Sequence, residues 1–167
     1  LGGGSGYYSI LATQQCPGLS AVIFDYPNVI EETKKFITHY GAESSVKTIS
    51  GDAYHDDFGS GYDLVLISHL IDQYPIWNNI KLLQRVYDSL AVGGFVVVHE
   101  SIIDSDRVNP PKAAMSALNL LLNTEEGDLP TESDLWVMLK EAWFHDITRI
   151  DTDFGTAIMT GQKKSMF

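Results

Sequence analysis

Apolar residues recur along the chain in two spacings, and the two spacings alternate. Short continuous runs of apolar and β-branched residues, as at positions 19–24 and 62–68, are typical of strands buried on both faces of a parallel sheet. Between such runs the apolar residues return every three or four positions, as at 76–90, which predicts an amphipathic helix. Alternating strands and helices predict an α/β fold with a mostly parallel sheet.

The other helices and strands are predicted from the same patterns and from the turn and cap residues that end them. The last two strands flank Phe154-Gly155, a tight-turn signal, and therefore predict a hairpin with an antiparallel edge. Thr131, with Asp134 three residues later, resembles a helix N-cap, although Asp is not the usual third residue of a capping box. The predicted helices span residues 7–15, 27–40, 76–90, 110–122 and 131–142, and the predicted strands span 19–24, 45–50, 62–68, 95–99, 145–150 and 156–160.

Composition and charge narrow the possible partners. The 167 residues are 44% apolar and 20% charged, which is typical of one globular domain covering residues 1–167. The net charge of −11 disfavours nucleic acid and anionic membranes as partners. The single cysteine, Cys16, cannot form an internal disulfide, no signal-peptide pattern opens the chain, and no apolar run is long enough to span a bilayer. We therefore expect a soluble, cytoplasmic protein.

A glycine cluster at the start of the chain is the first candidate binding feature. Gly2, Gly4 and Gly6 precede the first predicted helix, where glycine lets a ligand approach the backbone and the helix presents free N–H groups. The spacing differs from the G-x-G-x-x-G of dinucleotide enzymes, and no Lys-Ser or Lys-Thr pair follows to make a P-loop. By itself the cluster is compatible with a simple turn.

Acidic residues at the ends of the next two strands strengthen this interpretation. Asp25 ends the first predicted strand, 19 residues after Gly6, where a carboxylate can accept hydrogen bonds from ribose hydroxyls. Asp52 follows the next strand, with the ring of Tyr54 beyond it, although an Asp in this position alone is more often a turn or cap residue. Together these features predict a ligand that contains adenosine.

At these residues the chain resembles the class I S-adenosylmethionine-dependent O-methyltransferases, in the small-molecule branch that includes hydroxyindole, caffeate and bacterial polyketide O-methyltransferases. The resemblance implies S-adenosylmethionine as cofactor and a small hydroxylated or aromatic molecule as acceptor. The motifs that carry it are the Gly-rich start, Phe24-Asp25-Tyr26-Pro27, Gly51-Asp52, the 63–68 strand, Gly93-Gly94 to Glu100, the 117–124 segment and Trp143-Phe144.

The resemblance also assigns roles in cofactor binding and an overall architecture. Gly2, Gly4 and Gly6 would surround the methionine part, Asp25 would bind the ribose, Asp52 and Tyr54 would lie at the adenine, and Ser68 would lie near the sulfonium. The implied fold is a Rossmann-like, mostly parallel seven-stranded sheet with an antiparallel last strand. Family members carry an N-terminal helical domain that forms a homodimer. That domain and most of the first strand are not in this sequence, so we expect the 167 residues to be a fragment.

The catalytic positions depart from the family pattern. The family's general-base His falls on Asp72, and its other catalytic Glu falls near Leu129. His69 lies three residues before Asp72, so the two are predicted to form a base and its orienting carboxylate if the segment turns helically. The alternative is that both residues are caps. Glu100 matches a family position that supports the base, but a carboxylate at a strand end is also compatible with a solvated loop.

Further candidates concern the acceptor and a metal. Asn119 and Asn123 lie four residues apart on one helical face and, with Met115, are predicted to contact the acceptor. The run His55-Asp56-Asp57 is typical of a solvated turn, so no metal is predicted. Two other functions stay open: a nicotinamide-dependent oxidoreductase, which the glycine spacing disfavours, and a catalytically silent domain that retains the nucleoside ligand.

Overall fold

The fold was described in a computed structural model, which covers residues 1–165. The chain forms two compact units, Leu1–Gly59 and the remainder from Ser60 onward. The first unit contains α1 (Tyr7–Gln15), β1 (Ala21–Asp25), α2 (Pro27–His39) and β2 (Val46–Ser50). The second contains β3 (Tyr62–Ser68), a 3-10 helix (Ile71–Gln73), α3 (Ile76–Ser89), β4 (Leu90–Glu100), α4 (Pro111–Asn123), α5 (Glu132–Glu141), β5 (His145–Asp151) and β6 (Ala157–Gln162).

The first unit is a two-stranded parallel sheet with its two helices. β1 pairs with β2 from Ala21 opposite Val46 to Asp25 opposite Ser50. Its core is a cluster of six buried apolar residues: Ile10, Ile23, Ile30, Ile37, Ala42 and Val46. Because the core takes residues from both helices and both strands, it holds the carboxyl ends of β1 and β2 in place.

The second unit is built on a four-stranded sheet in the order β3-β4-β6-β5. β3 and β4 are parallel, whereas β6 runs antiparallel to both β4 and β5. The predicted hairpin and its antiparallel edge are therefore confirmed. The capping box at the start of α5 is also present, since Thr131 and Asp134 exchange hydrogen bonds.

The structure corrects the prediction of a fully buried third strand. Val65 and Ile67 are buried, but Leu64 is 55% exposed. Side chains alternate between the two faces of a strand, and in this unit α3 packs against β4 and α5 against β5. Leu64 points to the face opposite Val65 and Ile67 and is exposed there, whereas Leu66 on the same face is half-buried.

The α/β class and the mostly parallel arrangement agree with the prediction. The strands of the described residues number six, in two sheets, and the expected strand before Gly2 is not among them. The amides of Gly2 and Gly3 instead donate to the carbonyl of Phe24, 2.9 and 3.3 Å away. The chain thus starts alongside β1.

Within residues 1–165, no helix has both the length and the hydropathy needed to cross a bilayer.

Candidate functional site

The glycine loop before α1 has a left-handed backbone that other residues rarely adopt. Gly2, Gly4 and Gly6 have φ angles of 61°, 54° and 78°. At Gly6 an added Cβ would lie 2.3 Å from Cδ1 of Ile23. Gly6 is also the N-cap of α1. Because glycine has no side chain, it forms no side-chain hydrogen bond to the first N–H groups of the helix. This backbone fits a polar ligand that must approach closely.

Asp25 holds this loop in place. Its Oδ2 accepts from the Gly4 amide at 2.8 Å, and its Oδ1 accepts from the Tyr26 amide at 2.7 Å. From the other side, the buried Thr33 donates to the Gly4 carbonyl at 2.6 Å. Each carboxylate oxygen has two lone-pair directions, so these bonds leave acceptor capacity for a ribose hydroxyl. The ribose contact stays a prediction, and positioning of the loop is a role that sequence reasoning missed.

Asp52 and Tyr54 form part of a turn. Asp52 accepts from the Tyr54 amide at 2.9 Å and pairs with Nδ1 of His55 at 2.8 Å. The Gly51 amide donates to the Asp25 carbonyl at 2.9 Å, which fixes this turn beside the end of β1. Because β1 and β2 are parallel neighbours, the structure places Asp25 and Asp52 close together, while the adenine contact itself stays a prediction.

In the second unit, His69, Asp72 and Glu100 come together. Nδ1 of His69 lies 2.8 Å from Oε1 of Glu100, a hydrogen-bond distance. Glu100 is fully buried, whereas the side chain of His69 is 46% exposed. Candidate ligand atoms of all three residues lie within 4.8 Å of one another. An imidazole with one nitrogen on a buried carboxylate and its other side towards solvent is suited to accept a proton.

The pairing of β3 with β4 positions this cluster. Ser68 lies opposite His99 in the parallel ladder, so the residues that follow them, His69 and Glu100, emerge side by side. The His69 amide donates to the His99 carbonyl at 3.1 Å. His69 has a φ angle of 51°, a left-handed conformation that is costly for a residue with a Cβ. Such strain concentrates at functional sites, where the surrounding structure maintains it.

The cluster is electrostatically unbalanced. Oδ1 of Asp72 and Oε2 of Glu100 are buried without a hydrogen-bond partner, and no Lys or Arg of the described residues forms an ion pair with either. Burial, and then the Glu100 charge, raises the pKa of Asp72 to about 6. The hydrogen bond to Glu100 raises the pKa of His69. Both groups therefore hold protons more tightly than ordinary Asp and His residues do.

The geometry corrects the predicted pairing of the base. The carboxylate that orients His69 is Glu100, which lies 31 residues away, and not Asp72, three residues away. Asp72 lies within the 3-10 helix, so it does not cap the next helix, and Glu100 is buried, so it is not a solvated loop residue. The predicted juxtaposition of His69 with Asp72 does occur, within the larger cluster.

The same three residues also bear on metal binding. Among residues 1–165, they are the group of histidine and carboxylate ligand atoms close enough together to hold a metal ion. Nδ1 of His69 and Oε1 of Glu100 are 2.8 Å apart, so they hydrogen-bond directly to each other. For this reason we interpret the cluster as a proton acceptor. The absence of a resident metal stays a prediction.

His99 is a polar residue at the site that sequence reasoning missed. Its Nδ1 lies 2.9 Å from Oγ of Ser68, and its Nε2 lies 2.8 Å from Oγ1 of Thr156. Its ring meets that of His69 edge to face, with centroids 5.0 Å apart. The available signal was a histidine at the end of the apolar run Phe95-Val96-Val97-Val98, next to Glu100.

The residues predicted to contact the acceptor lie on α4, and the segment that follows α4 reaches Asp72, whose carbonyl accepts from the Asp128 amide at 2.9 Å. Asn123 donates to the Asn119 side chain at 2.9 Å, and both residues are exposed. Met115 is 66% exposed. Leu129, at the family's second acidic position, is buried against Ile103. The α4 residues stay predictions, and Leu129 belongs to the apolar core.

The chain was compared with known proteins. The family model described as the O-methyltransferase domain matches residues 1–145. Acetylserotonin O-methyltransferase of Bos taurus is 31% identical over 149 residues, which cover 88% of this chain and 42% of that protein. The 3-hydroxy-5-methyl-1-naphthoate 3-O-methyltransferase of Streptomyces sahachiroi is 32% identical over 124 residues, 74% of this chain and 36% of that protein.

A solved structure is also similar to this chain. Human N-acetylserotonin methyltransferase in complex with SAM superposes with a TM-score of 0.88 at 27% identity, covering 99% of this chain and 46% of that one. The chain therefore spans less than half the length of these relatives. The family match over most of the chain agrees with the glycine loop and with the strand-end acidic residues. By this match the chain belongs to the O-methyltransferase domain family.

Proposed function

We propose that this chain is the cofactor-binding and catalytic part of an S-adenosylmethionine-dependent O-methyltransferase that acts on a hydroxyl of a small aromatic molecule. Family membership supports the reaction, and relatives named for acetylserotonin and for a hydroxynaphthoate support the acceptor class. The observation that carries the mechanism is the pairing of the half-exposed His69 with the fully buried Glu100.

The first unit would hold the cofactor. The left-handed backbone at Gly2, Gly4 and Gly6 leaves the space that side chains would fill, and Asp25 fixes the loop while keeping lone pairs for a ribose hydroxyl. The residues present therefore fit the nucleoside and methionine parts of S-adenosylmethionine. When bound, this cofactor supplies a methyl group already activated by a sulfonium.

The second unit would accept the acceptor's proton. His69 donates Nδ1–H to Glu100, so Nε2 is the nitrogen suited to take a proton from a hydroxyl. Glu100 then stabilises the imidazolium that forms. Proton transfer from a phenol of pKa about 10 to an ordinary His is uphill by about 5 kcal/mol, and the raised pKa of His69 lowers that cost.

Asp72 stands at the position of the family's general-base His. With an ordinary pKa it would accept a phenol proton at a cost of about 8 kcal/mol, and the shift to about 6 lowers this to about 5 kcal/mol. Asp72 is therefore competent as a second proton acceptor. We assign the principal role to His69, because its other nitrogen is held by a buried carboxylate.

The two alternative functions are not equally supported. A nicotinamide-dependent oxidoreductase is disfavoured by the family match. A catalytically silent domain that keeps the nucleoside ligand has specific support, because Asp72 and Leu129 replace two catalytic positions implied by the family resemblance. Methyl transfer to an acidic hydroxyl, which needs little base, reconciles these replacements with an active enzyme.

Location and partners complete the proposal. We propose a cytoplasmic enzyme whose partner is a small-molecule acceptor, with no nucleic acid or membrane as partner, since the net charge is −11. Assembly as a homodimer through an N-terminal helical domain is implied by the family resemblance alone.

The test is calorimetric titration of the full-length protein with S-adenosylhomocysteine, with NADH as control. We expect micromolar binding of S-adenosylhomocysteine alone, followed by transfer of a labelled methyl group to members of a hydroxyindole and naphthol panel. Binding of NADH alone, or of neither ligand, would contradict the proposal. The silent domain would be favoured if S-adenosylhomocysteine binds, no acceptor is methylated, and replacing His69 does not change the methyl-transfer assay.

A further inference from the structure

Two carboxylate oxygens in the cluster of His69, Asp72 and Glu100 are buried without a hydrogen-bond partner. They are Oδ1 of Asp72 and Oε2 of Glu100. The other oxygen of Glu100 accepts from the Ser101 amide at 3.0 Å and lies 2.8 Å from Nδ1 of His69. A buried polar atom without a partner costs free energy, so a ligand that bonds to both oxygens would remove that cost.

The two carboxylates also lack a fixed positive partner. Among residues 1–165, no Lys or Arg side chain forms an ion pair with Asp72 or Glu100. His69 carries a positive charge only when it is protonated. Attraction between opposite charges is stronger away from bulk water, and a divalent cation would balance both carboxylates at once.

The three side chains offer one nitrogen and two oxygen ligands. Their candidate ligand atoms lie within 4.8 Å of one another. Two atoms that bind the same Zn²⁺ ion, each about 2.1 Å from it, are about 3 to 4 Å apart, so a small movement of the half-exposed His69 is sufficient. Imidazole nitrogen is a ligand that transition-metal ions such as Zn²⁺ accept, whereas Mg²⁺ prefers oxygen.

Fixed elements of one unit hold these ligands. His69 follows β3, and Glu100 is the last residue of β4, the parallel neighbour of β3. Asp72 lies in the 3-10 helix, and Nδ2 of the buried Asn79 donates to the Ile71 carbonyl of that helix at 2.7 Å. All of these residues belong to the unit from Ser60 onward, so the ligands come together within that unit alone.

A pair in the first unit shows that closeness alone does not make such a site. Nδ1 of His55 lies 2.8 Å from Oδ2 of Asp52, the same separation as between His69 and Glu100. The His55 side chain, however, is 80% exposed. Within the described residues, this pair is not part of a group of three close ligands. It therefore provides a matched control.

We propose that His69, Asp72 and Glu100 form a reversible binding site for a divalent transition-metal ion such as Zn²⁺, and that the bound ion inhibits proton transfer at His69. The binding stands on the geometry of the cluster, whereas the inhibition rests on the proposed function. A neutral imidazole has one proton and one lone pair on its two nitrogens. An ion on Nδ1 leaves the proton on Nε2, and an ion on Nε2 occupies that nitrogen directly. In either case Nε2 no longer accepts a proton from a hydroxyl.

The first experiment measures binding without cofactor or acceptor. Full-length protein is treated with EDTA, dialysed and titrated calorimetrically with zinc chloride, and we expect micromolar binding. Asp72→Asn and Glu100→Gln should each weaken that binding by about tenfold or more, because each removes an anionic ligand, whereas His55→Asn should leave it unchanged. His69→Gln, at a half-exposed side chain, gives the same test if a buried variant does not fold, which circular dichroism shows.

Three results of this titration would overturn the site. They are no binding of Zn²⁺, unchanged binding in the folded variants of the cluster, and an equal loss in His55→Asn. Displacement of Zn²⁺ by millimolar Mg²⁺ would overturn the assignment of His69 as a ligand, because a site of oxygen ligands alone would not distinguish the two ions in this way.

The second experiment measures inhibition. Methyl transfer to the hydroxyindole and naphthol panel should fall by half at the Zn²⁺ concentration that half-saturates the site, and EDTA should restore it. Full activity of the saturated protein would overturn the inhibition. If the metal-free protein methylates no acceptor, the proposed function fails and the inhibition fails with it, while the titration still decides the binding site.

Discussion

The candidate-site carboxylates of the two units differ in how fully their oxygens are hydrogen-bonded. In the unit of residues 1–59, Asp25 and Asp52 accept hydrogen bonds from nearby backbone amides. In the unit from Ser60 onward, Asp72 and Glu100 each keep a buried oxygen without a partner. Most buried polar atoms in proteins are satisfied, so the second arrangement is the exceptional one.

This difference corresponds to two functions, ligand binding and proton transfer. Satisfied carboxylates hold a loop in one shape, which is what binding a rigid nucleoside requires. Burial raises the pKa of Asp72 to about 6, so this carboxylate can take up a proton near neutral pH, as proton transfer requires. We therefore expect substitutions in the first unit to change stability and affinity, and substitutions at the cluster of His69, Asp72 and Glu100 to change activity and pH dependence.

The largest expected effect is on activity. Glu100→Gln should lower kcat/KM by about a hundredfold or more, because the imidazolium of His69 loses its negatively charged partner. The free energy of unfolding is compared between the two proteins, so that a loss of activity is told apart from a loss of folded protein. Steady-state kinetics and urea unfolding measure the two quantities, with the exposed Glu141→Gln as control. Retention of full activity would remove Glu100 from the mechanism.

The glycine loop offers the largest expected effect on stability. Gly6→Ala combines a left-handed backbone with a Cβ 2.3 Å from Ile23, so we expect a loss of about 1 to 3 kcal/mol in the free energy of unfolding. Gly4→Ala is the matched control, because its φ is also positive but nothing lies within 4 Å of the added Cβ. Equal losses in the two variants would show that crowding against Ile23 contributes nothing.

Asp25 tests binding in the same unit. Asp25→Ala should weaken S-adenosylhomocysteine by about 1 to 3 kcal/mol, through the lost ribose acceptor and a looser Gly4 amide. Calorimetric titration measures the change, and Glu31→Ala on the exposed surface of α2 should leave the affinity as it is. An affinity that survives in Asp25→Ala would restrict Asp25 to a structural role at most.

The pH dependence of stability sharpens the contrast with the second unit. Because the folded pKa of Asp72, about 6, lies above its ordinary value of 3.8, ionisation of Asp72 lowers stability as the pH rises between those values. His69, with a raised pKa, adds stability that is complete below its ordinary value of 6.5 and is lost as the pH rises through the folded value.

Asp72→Asn should remove the first of these contributions. Urea unfolding from pH 4 to pH 8 should then show a shallower decline of the free energy of unfolding for this variant between pH 4 and 6. The decline above pH 6.5 should also become somewhat smaller, because the Asp72 charge is one of the causes that raise the pKa of His69. A parallel displacement of the whole curve would mean that Asp72 does not titrate in that interval.

The smallest expected effect concerns a local feature away from the cluster. Thr131→Ala removes the capping box of α5 and should cost about 1 kcal/mol in the free energy of unfolding. Thr131→Ser keeps the hydroxyl and should restore most of the loss. Activity per folded molecule should not change, and a fall in kcat would link α5 to the active site.

Sequence patterns were reliable where the interactions are local. Pro27 begins α2, the Thr131–Asp134 box begins α5, and Phe154-Gly155 separates two antiparallel strands, all as predicted. The glycine loop and the acidic end of β1 were also found, because each is a short segment with its own backbone requirement. Leu64 was misassigned, since an apolar run does not reveal which face of a strand will be covered.

The catalytic cluster was found only in part, for a related reason. His69 and Asp72 are three residues apart, and their closeness followed from the sequence. The family resemblance implied that Glu100 supports a base, but its pairing with His69, and the hydrogen bonds from Ser68 through His99 to Thr156, depend on strands distant in sequence.

The amino-acid sequence by itself determined the α/β alternation, the caps and turns, and the polar residues that each strand end presents, since these depend on neighbours within a few positions. Only the tertiary structure decided which of those residues meet. The register of β3 with β4 brings His69 onto Glu100 and Ser68 onto His99. A shift of one residue would separate both pairs, because successive side chains of a strand point to opposite faces.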